Sequence, residues 1–551
     1  MVKELTGTLV YKETERVFTV FEHDLGPYLD SLQHDAMLRV TTTLERVRKG
    51  FDVDLVTPAI GKTTPDKLAA RAAIIAKVLQ EGAHTGLHDL DDAEVTQAKL
   101  VGPLSLMSPF SDRREDLLVY WSRQKFRLHL DNDILMKAFD RIVGKIKRHT
   151  VQPLSIEAAF EIMPKNTNLG SPFHSKSKAY YPELLSLARA VERGGFNVRE
   201  YNHPAFLYWR GQSQGLYQHS KDRAVWGYPH YISIHELRLQ GALLPHLRKL
   251  PEFAALVGFE AVNAEITRLF RLNKGEDWSI DFGGFDKTAE HTLITFGFAL
   301  WREWFTRGSK RLIDYIEDRF INIPLLHPDG IWEGRHGVPS GSGLTNQMDS
   351  IIQWLLAEYC AIKLGARMHG ILLQGDDGVW AWRDKVKLTQ VQDLVSRFGM
   401  FLNTDKGGIS KDVVYYLQNV HMRYHMADGL CVGVRPLCRT LSGLTGFETP
   451  RDKDWRPVDT TFRWIQQVEA CREHPELQVL VKLLLQWDRL IRENDIRTLV
   501  IMAGGIDELE ARQRSKGFPY GKYPLSGIFQ FTTVKMIEEL KRTGFGQPLV
   551  A

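Results

Sequence analysis

The sequence predicts an α+β protein with a small antiparallel sheet and many helices. Three observations carry this. Residues 275–440 alternate strand-like and helix-like pieces. An apolar hairpin with an acidic tip, GILLQGDDGVWAW, lies within that stretch. The tail from about residue 458 has mostly helical spacing.

In chain order, LTGTLVYKETERVFTVF reads as a short β segment. Helical apolar spacing follows over 29–49 and 65–79. The second of these has Thr64 as N-cap, Pro65 at the first helical position and Gly82 as its stop. WSIDFGG reads as a strand ending in a Gly-Gly turn, HTLITFGFALWREWF as a helix, and 349–364 as another helix. After the GILLQGDDGVWAW hairpin, 390–400 is helical and VVYYLQNV strand-like. VLVKLLLQWDRLI is the clearest core segment of the helical tail.

A chain of 551 residues with 43% hydrophobic and 25% charged residues folds, and into more than one small lobe. Its net charge of +4 excludes a general polycation, so any nucleic-acid surface must come from local clustering. Residues 165–249 supply such a cluster, with twelve Lys or Arg against five acids, interleaved with Tyr208, Trp209, Trp226 and Tyr228. Cations attract phosphates and aromatic faces stack bases, although a solvated charged face over core aromatics has the same composition. The four cysteines form no CxxC pair, which argues against a structural zinc and fits a reducing compartment. The charged N-terminus has no apolar signal-peptide core, and no apolar run is long enough to span a bilayer. A cytosolic or particle-enclosed protein is expected.

Three pieces carry chemistry. Gly375-Asp376-Asp377 places adjacent carboxylates at a hairpin tip. Burying both needs a counter-charge such as a divalent metal, but Asp-Asp-Gly is also ordinary turn chemistry. Asp281-Phe-Gly-Gly-Phe-Asp286 ends a strand, and its glycines permit a bend that returns Asp286 towards the same cleft. A helix N-terminus that favours an acid explains Asp286 as well. Val338-Pro-Ser-Gly-Ser-Gly-Leu-Thr-Asn-Gln-Met-Asp349 runs a Ser/Gly loop into a helix. Its backbone and hydroxyls suit a sugar or phosphate, or simply cap the helix. Each piece alone is weak; the three in this order within about a hundred residues are a much rarer coincidence.

Together they resemble motifs A, B and C of viral RNA-dependent RNA polymerases. The resemblance implies a right-hand architecture of fingers, palm and thumb, with Asp281 and Asp376 holding two Mg²⁺ ions (Mn²⁺ as a substitute) and Asp377 as accessory acid. It extends to Phe398-Gly-Met-Phe-Leu-Asn403-Thr-Asp-Lys406, similar to motif D, whose lysine protonates departing pyrophosphate. The segment 415–422 resembles the primer-gripping hairpin. Lys221-Asp-Arg223-Ala-Val-Trp226-Gly resembles motif F, which neutralises the triphosphate. Asn166-Thr167-Asn-Leu-Gly170-Ser-Pro172 resembles motif G at the template entrance. Asp286, Ser340, Gly341, Thr345, Asn346 and Asp349 are then nucleotide-binding candidates. The sequence departs from many relatives by carrying Asp349 where an Asn is common, which leaves open whether Asp349 or Asn346 completes ribose recognition. KDRAVWG, DFGGFD, PSGSGLTNQMDS and QGDDG are most similar to picobirnavirus polymerases, then partitivirus polymerases, both from segmented double-stranded RNA viruses.

The resemblance further implies template and nascent RNA, nucleoside triphosphates and a viral capsid protein as partners, no membrane, and residence in the host cytoplasm and virion interior. The expected lobes are a bridging N-terminal region (1–80), fingers (81–274), palm (275–434, with a fingers insertion around 300–335), and thumb with C-terminal tail (435–551). A metal-dependent nuclease would share the acids without needing the Ser/Gly loop. An RNA-packaging protein would keep the basic block without needing three acids in register. A reverse transcriptase usually has an apolar residue where Gly375 precedes the Asp pair.

Overall fold

The N-terminal β segment is a full hairpin. Strands Val2–Tyr11 and Thr14–His23 pair antiparallel from Val2 opposite His23 to Tyr11 opposite Thr14. This computed structural model describes residues 1–125, 131–216, 221–272, 276–403, 407–516 and 523–545. The hairpin is one edge of a seven-stranded sheet. From that edge the order is Val2–Tyr11, Thr14–His23, Gly330–Glu333, Leu325–His327, Ala205–Gln212 and Lys221–Gly227, with Ser122–Gln124 beside the second strand. All its pairs are antiparallel except Ala205–Gln212 with Leu325–His327.

A second sheet has four antiparallel strands in the order Gly408–Ser410, Asp277–Ile280, Asp377–Trp382, Met368–Gln374. Its middle strands are buried on both faces. Trp278, Trp380 and Trp382 pack there, the ring centroids of Trp278 and Trp382 lying 5.7 Å apart. Removing one such ring would cost about 3–5 kcal/mol. Helix Thr345–Lys363 runs beneath this sheet and is buried along nearly its whole length, its polar residues Asp349, Ser350 and Gln353 included. A third sheet joins Val413–Tyr416, Asn419–Ala427 and Leu430–Val434.

From Cys438 onwards the described chain is helical. Val458, Phe462, Ile465, Leu480, Val481 and Leu484 form a core of their own, into which Ile75 and Val78 of helix Lys67–Gly82 insert. The N-terminal third thus packs against the C-terminal helices. Thr57 N–H donates to Thr445 O at 3.0 Å and Phe447 N–H to Leu55 O at 2.7 Å, which ties the two backbones together.

Local differences from the sequence-based expectation have identifiable causes. The helix expected over 29–49 is two, Gly26–Asp30 and His34–Lys49, broken at Ser31, whose hydroxyl turns back to Tyr28 O. Asp66, not Thr64, caps the next helix, accepting from Ala69 N–H at 2.8 Å; the Thr64 hydroxyl bonds Ile60 O instead. A carboxylate two residues further on is the stronger acceptor for the free N–H groups. Gly82 is the last helical residue, not the one beyond it. The core segment of the tail breaks at Asp488, which accepts from Leu490 and Ile491 N–H and starts helix Arg489–Glu493. All four cysteines are buried and free.

Candidate active site

The register of the four-stranded sheet brings the acids together. Gly378 lies opposite Ile280, and continuing the ladder by one residue sets Asp281 across from Asp377, with Asp376 at the turn beside them. Asn403 fixes Asp281 from the far side: its backbone N–H donates to Asp281 O at 2.7 Å and its amide to Asp281 Oδ2 at 3.0 Å. The three carboxylates feel one another. Burial, then Asp376 and Asp281, push the Asp377 pKa up to about 7, while Arg223 and Arg439 pull it down. Among the described residues no group of three or more His, Cys, Asp or Glu side chains is placed to hold a metal ion. Two hard carboxylates with the rest of the shell left to water and phosphate oxygens is the arrangement magnesium favours, so the donor set fits that ion.

The turn between the acids is held from below. Ser350 and Gln353 share one face of helix Thr345–Lys363. The Ser350 hydroxyl accepts from Gly375 N–H at 2.8 Å. The Gln353 amide donates to Asp376 O at 3.0 Å and Gly375 O at 3.3 Å. Gly375 takes φ +66°, and a Cβ on Gly378 would overlap the Gln353 amide. Asn346 is exposed beside the turn, its amide 3.1 Å from where a Cβ on Gly375 would stand.

The Ser/Gly loop closes against both neighbours. Ser340 donates to Asp286 Oδ2, and the Tyr120 hydroxyl stands 3.2 Å from Ser340 Oγ. Asp349 is buried at the other side of Asp286. Burial, then Asp286 and Asp376, raise its pKa well above the usual carboxylate range, which favours the protonated form that can donate to Asp286. Asp286 is itself raised to about 6, by burial first. The Thr345 hydroxyl turns inward, donating to Pro339 O at 2.9 Å and Ser342 O at 3.1 Å, so it shapes the loop. Gly341, at φ +144°, lies so close to Trp226 O that a Cβ would overlap it, and Trp226 N–H donates to Ser340 O at 2.8 Å. Beneath the loop Glu236, only 1% exposed, accepts from Ser342 Oγ at 2.5 Å and from Gly343 N–H at 2.9 Å.

Strand Lys221–Gly227 presents Lys221 and Arg223 outward and buries Asp222, which accepts from Ser108 N–H and pairs with Arg113. Arg223 lies near enough to Asp286 and Asp377 to lower the pKa of both.

The sequence signature described as "Viral RNA-dependent RNA polymerase" matches residues 109–423, more than half of the chain, and spans the acids, the Ser/Gly loop and the strand that carries Arg223. The chain belongs to that family. It is 29% identical over 406 residues to a potential RNA-dependent RNA polymerase of human picobirnavirus (strain Human/Thailand/Hy005102/-), covering 71% of this chain and 75% of that one. Over 254 residues it is 27% identical to an RNA-directed RNA polymerase of Cryptosporidium parvum virus 1 (strain KSU-1), covering 43% and 47%. Its fold matches the crystal structure of a human picobirnavirus RNA-dependent RNA polymerase with a TM-score of 0.75 at 24% identity, over 91% of this chain and 96% of that one. An insertion-loop deletion mutant of the same polymerase matches at 0.74 and 24%. The right-hand polymerase fold and RNA-directed RNA polymerase activity follow.

The polymerase's remaining sequence candidates lie further out. Asn166 donates its amide to Arg514 O at 2.9 Å, linking the 166–172 loop to helix Ile506–Lys516. Thr167 meets His230 Nε2 at 2.9 Å, Gly170 takes φ +69° against Tyr228 O, and the Ser171–Pro172 bond is cis. Lys406 lies outside the described residues. No helix among them is long and apolar enough to cross a membrane. Sequence reasoning missed Tyr120, Glu236, Ser350, Gln353 and Arg439. Glu236 had a signal: a lone acid in the apolar run YISIHELRL needs a buried partner.

Proposed function

We propose that this polymerase replicates and transcribes a segmented double-stranded RNA genome by two-metal nucleotidyl transfer at Asp281 and Asp376, with Asp377 as the accessory acid. The observation that carries this is the cross-strand meeting of Asp281, Asp376 and Asp377, with Arg223 facing them. Two Mg²⁺ ions bound there, with Mn²⁺ as a substitute, would lower the pKa of the RNA 3′-hydroxyl and offset charge on the leaving pyrophosphate.

The protein groups do the rest. Asp281 and Asp376 present hard oxygens from two adjacent strands. Lys221 and Arg223 draw the triphosphate in from the neighbouring sheet. Asp286, held by Ser340 and backed by Asp349, accepts from the ribose 2′-hydroxyl, so a deoxyribose leaves that acceptor unpaired. Gly341, Thr345 and Asn346 shape the pocket floor. Lys406 serves as general acid to the pyrophosphate. The loop carrying Asn166, Thr167, Gly170 and Pro172 guides the template, read by base pairing and not by protein contacts. In this reading residues 1–80 bridge fingers (81–274) and thumb (435–551) around the palm (275–434), and a capsid protein houses the enzyme in the virion within the host cytoplasm.

The test is incorporation of labelled ribonucleotides on single-stranded RNA with Mg²⁺, wild type beside Asp376→Ala. Template-dependent product from wild type and a loss of at least about 10³-fold in the variant are expected. Equal product from both would refute the role of Asp376.

A further inference from the structure

The N-terminal hairpin reaches across the molecule to the turn that follows Asp281. Its tip is Tyr11-Lys12-Glu13-Thr14, and that tip rests on Gly283 and Gly284. The Tyr11 hydroxyl donates to Gly283 O at 3.5 Å and occupies the space a Cβ on Gly284 would need. Lys12 Cε stands 3.5 Å from the Cβ position of Gly283. Gly283 is two residues beyond Asp281, hence within about 7 Å of it by chain geometry, and its N–H is held by Phe401 O at 2.8 Å. Lys12 is exposed.

Two further facts show that the tip is built. First, the hairpin is clamped near its end. The buried Arg16 donates to Ser122 Oγ at 2.7 Å, Ser122 O at 3.2 Å and Gly399 O at 3.4 Å, which fixes the end of the hairpin against Ser122 and Gly399. Second, Lys12 and Glu13 both take left-handed φ, +50° and +63°. A two-residue hairpin turn of this kind favours Asn-Gly, and other side chains there are strained. A strained Lys kept at a tip beside a site that must bind polyanions calls for a functional explanation.

We propose that Lys12 is a further substrate-binding residue of this polymerase, its ammonium contacting the β- and γ-phosphates of the incoming nucleoside triphosphate and the pyrophosphate derived from them. This rests on the reading of Asp281 and Asp376 as the nucleotidyl-transfer site. Arg223 approaches that site from the strand Lys221–Gly227. Lys12 approaches from the opposite end of the same seven-stranded sheet, over a Gly-Gly turn with no side chains to fill the space. The triphosphate is then flanked by cations from both ends of one sheet.

Steady-state ribonucleotide incorporation by the full chain tests this, with inorganic pyrophosphate as inhibitor. For Lys12→Ala and Lys12→Gly, the KM for nucleoside triphosphate and the pyrophosphate inhibition constant should each rise about tenfold, with kcat within about threefold. Lys12→Arg should restore both constants. Lys12→Gly relieves the backbone strain, so its Tm should equal or exceed that of wild type while its KM rises, a combination that a structural role for Lys12 would not produce. The proposal is overturned if both constants stay within twofold of wild type, or if kcat falls while both constants stay put, since Lys12 would then only brace the turn. No template-directed product from wild type would instead overturn the polymerase-site reading beneath it.

Discussion

The two large sheets solve different problems. The four-stranded sheet draws all its strands from residues 277–410, pairs them antiparallel, and collects like charges at one end. The seven-stranded sheet draws from residues 2–333, includes a parallel pair, and delivers what those charges need: Arg223 on one edge strand and the Tyr11–Lys12 tip at the other. On the proposed two-metal reading, acids that share a metal gain from closeness in sequence, because one hairpin and one neighbouring strand suffice to set their spacing. Groups that neutralise, orient and cover them approach from other directions and are supplied by distant segments.

The seam between the sheets is therefore where one atom should matter most. At Gly341 the loop carrying Ser340 touches Trp226 O, on the edge strand of the larger sheet. Gly341→Ala adds a methyl where backbone already stands, at a φ that L-residues avoid, so the strand and the loop must part. A loss of about 2–3 kcal/mol in stability and of about 10²-fold in kcat/KM is expected, read by thermal unfolding and by primer extension. Activity within threefold of wild type would mean that the two sheets are not coupled through this contact.

The same contrast explains what could be read from the sequence. Asp281, the Ser/Gly loop and Gly375-Asp376-Asp377 were legible because each motif is contiguous and their order is fixed. The GILLQGDDGVWAW hairpin and a helix over 349–364 were legible from their apolar patterns, although that helix starts four residues earlier, at Thr345. Tyr120, Glu236 and Lys12 were not, because each comes to the site through pairing over a hundred residues or more. Helix ends were misread where two capping residues compete, as with Thr64 and Asp66, or where a polar residue interrupts an apolar run, as with Asp488.

Glu236 offers a smaller, pH-dependent probe of the seam. It lies on helix His230–Leu247, directly after the edge strand, and both its oxygens grip the loop. The groups facing it are Ser342, Gly343, Tyr228 and Tyr315. Burial raises its pKa from 4.5 to about 7. The unfolded chain therefore releases this proton first as pH rises. The stability contributed by protonated Glu236 is complete below about pH 4.5 and is lost as pH climbs through about 7. Gln stays neutral, can accept from Gly343 N–H and donate to Ser342 Oγ. The Tm of Glu236→Gln minus that of wild type should thus grow by a few degrees between pH 5 and 7.5. A difference that stays flat over that window would show that Glu236 is ionised throughout in the folded chain.

The smallest effect is expected within the acid cluster itself, at Asp349. Burial, Asp286 and Asp376 all favour its protonated form, and a protonated Asp presents one donor and one acceptor, as an Asn side chain does. Asp349→Asn should therefore change ribonucleotide KM and the preference for ribose over deoxyribose by less than about threefold, whereas Asp286→Asn, which replaces the acceptor that Ser340 grips, should collapse that preference by tenfold or more. The pair of variants separates shape from charge: an Asp349→Asn enzyme that gains deoxynucleotide incorporation as strongly as Asp286→Asn would mean that Asp349 carries a negative charge in the working site. The cluster would then hold five ionised carboxylates against its metals and Arg223, instead of four and a neutral donor.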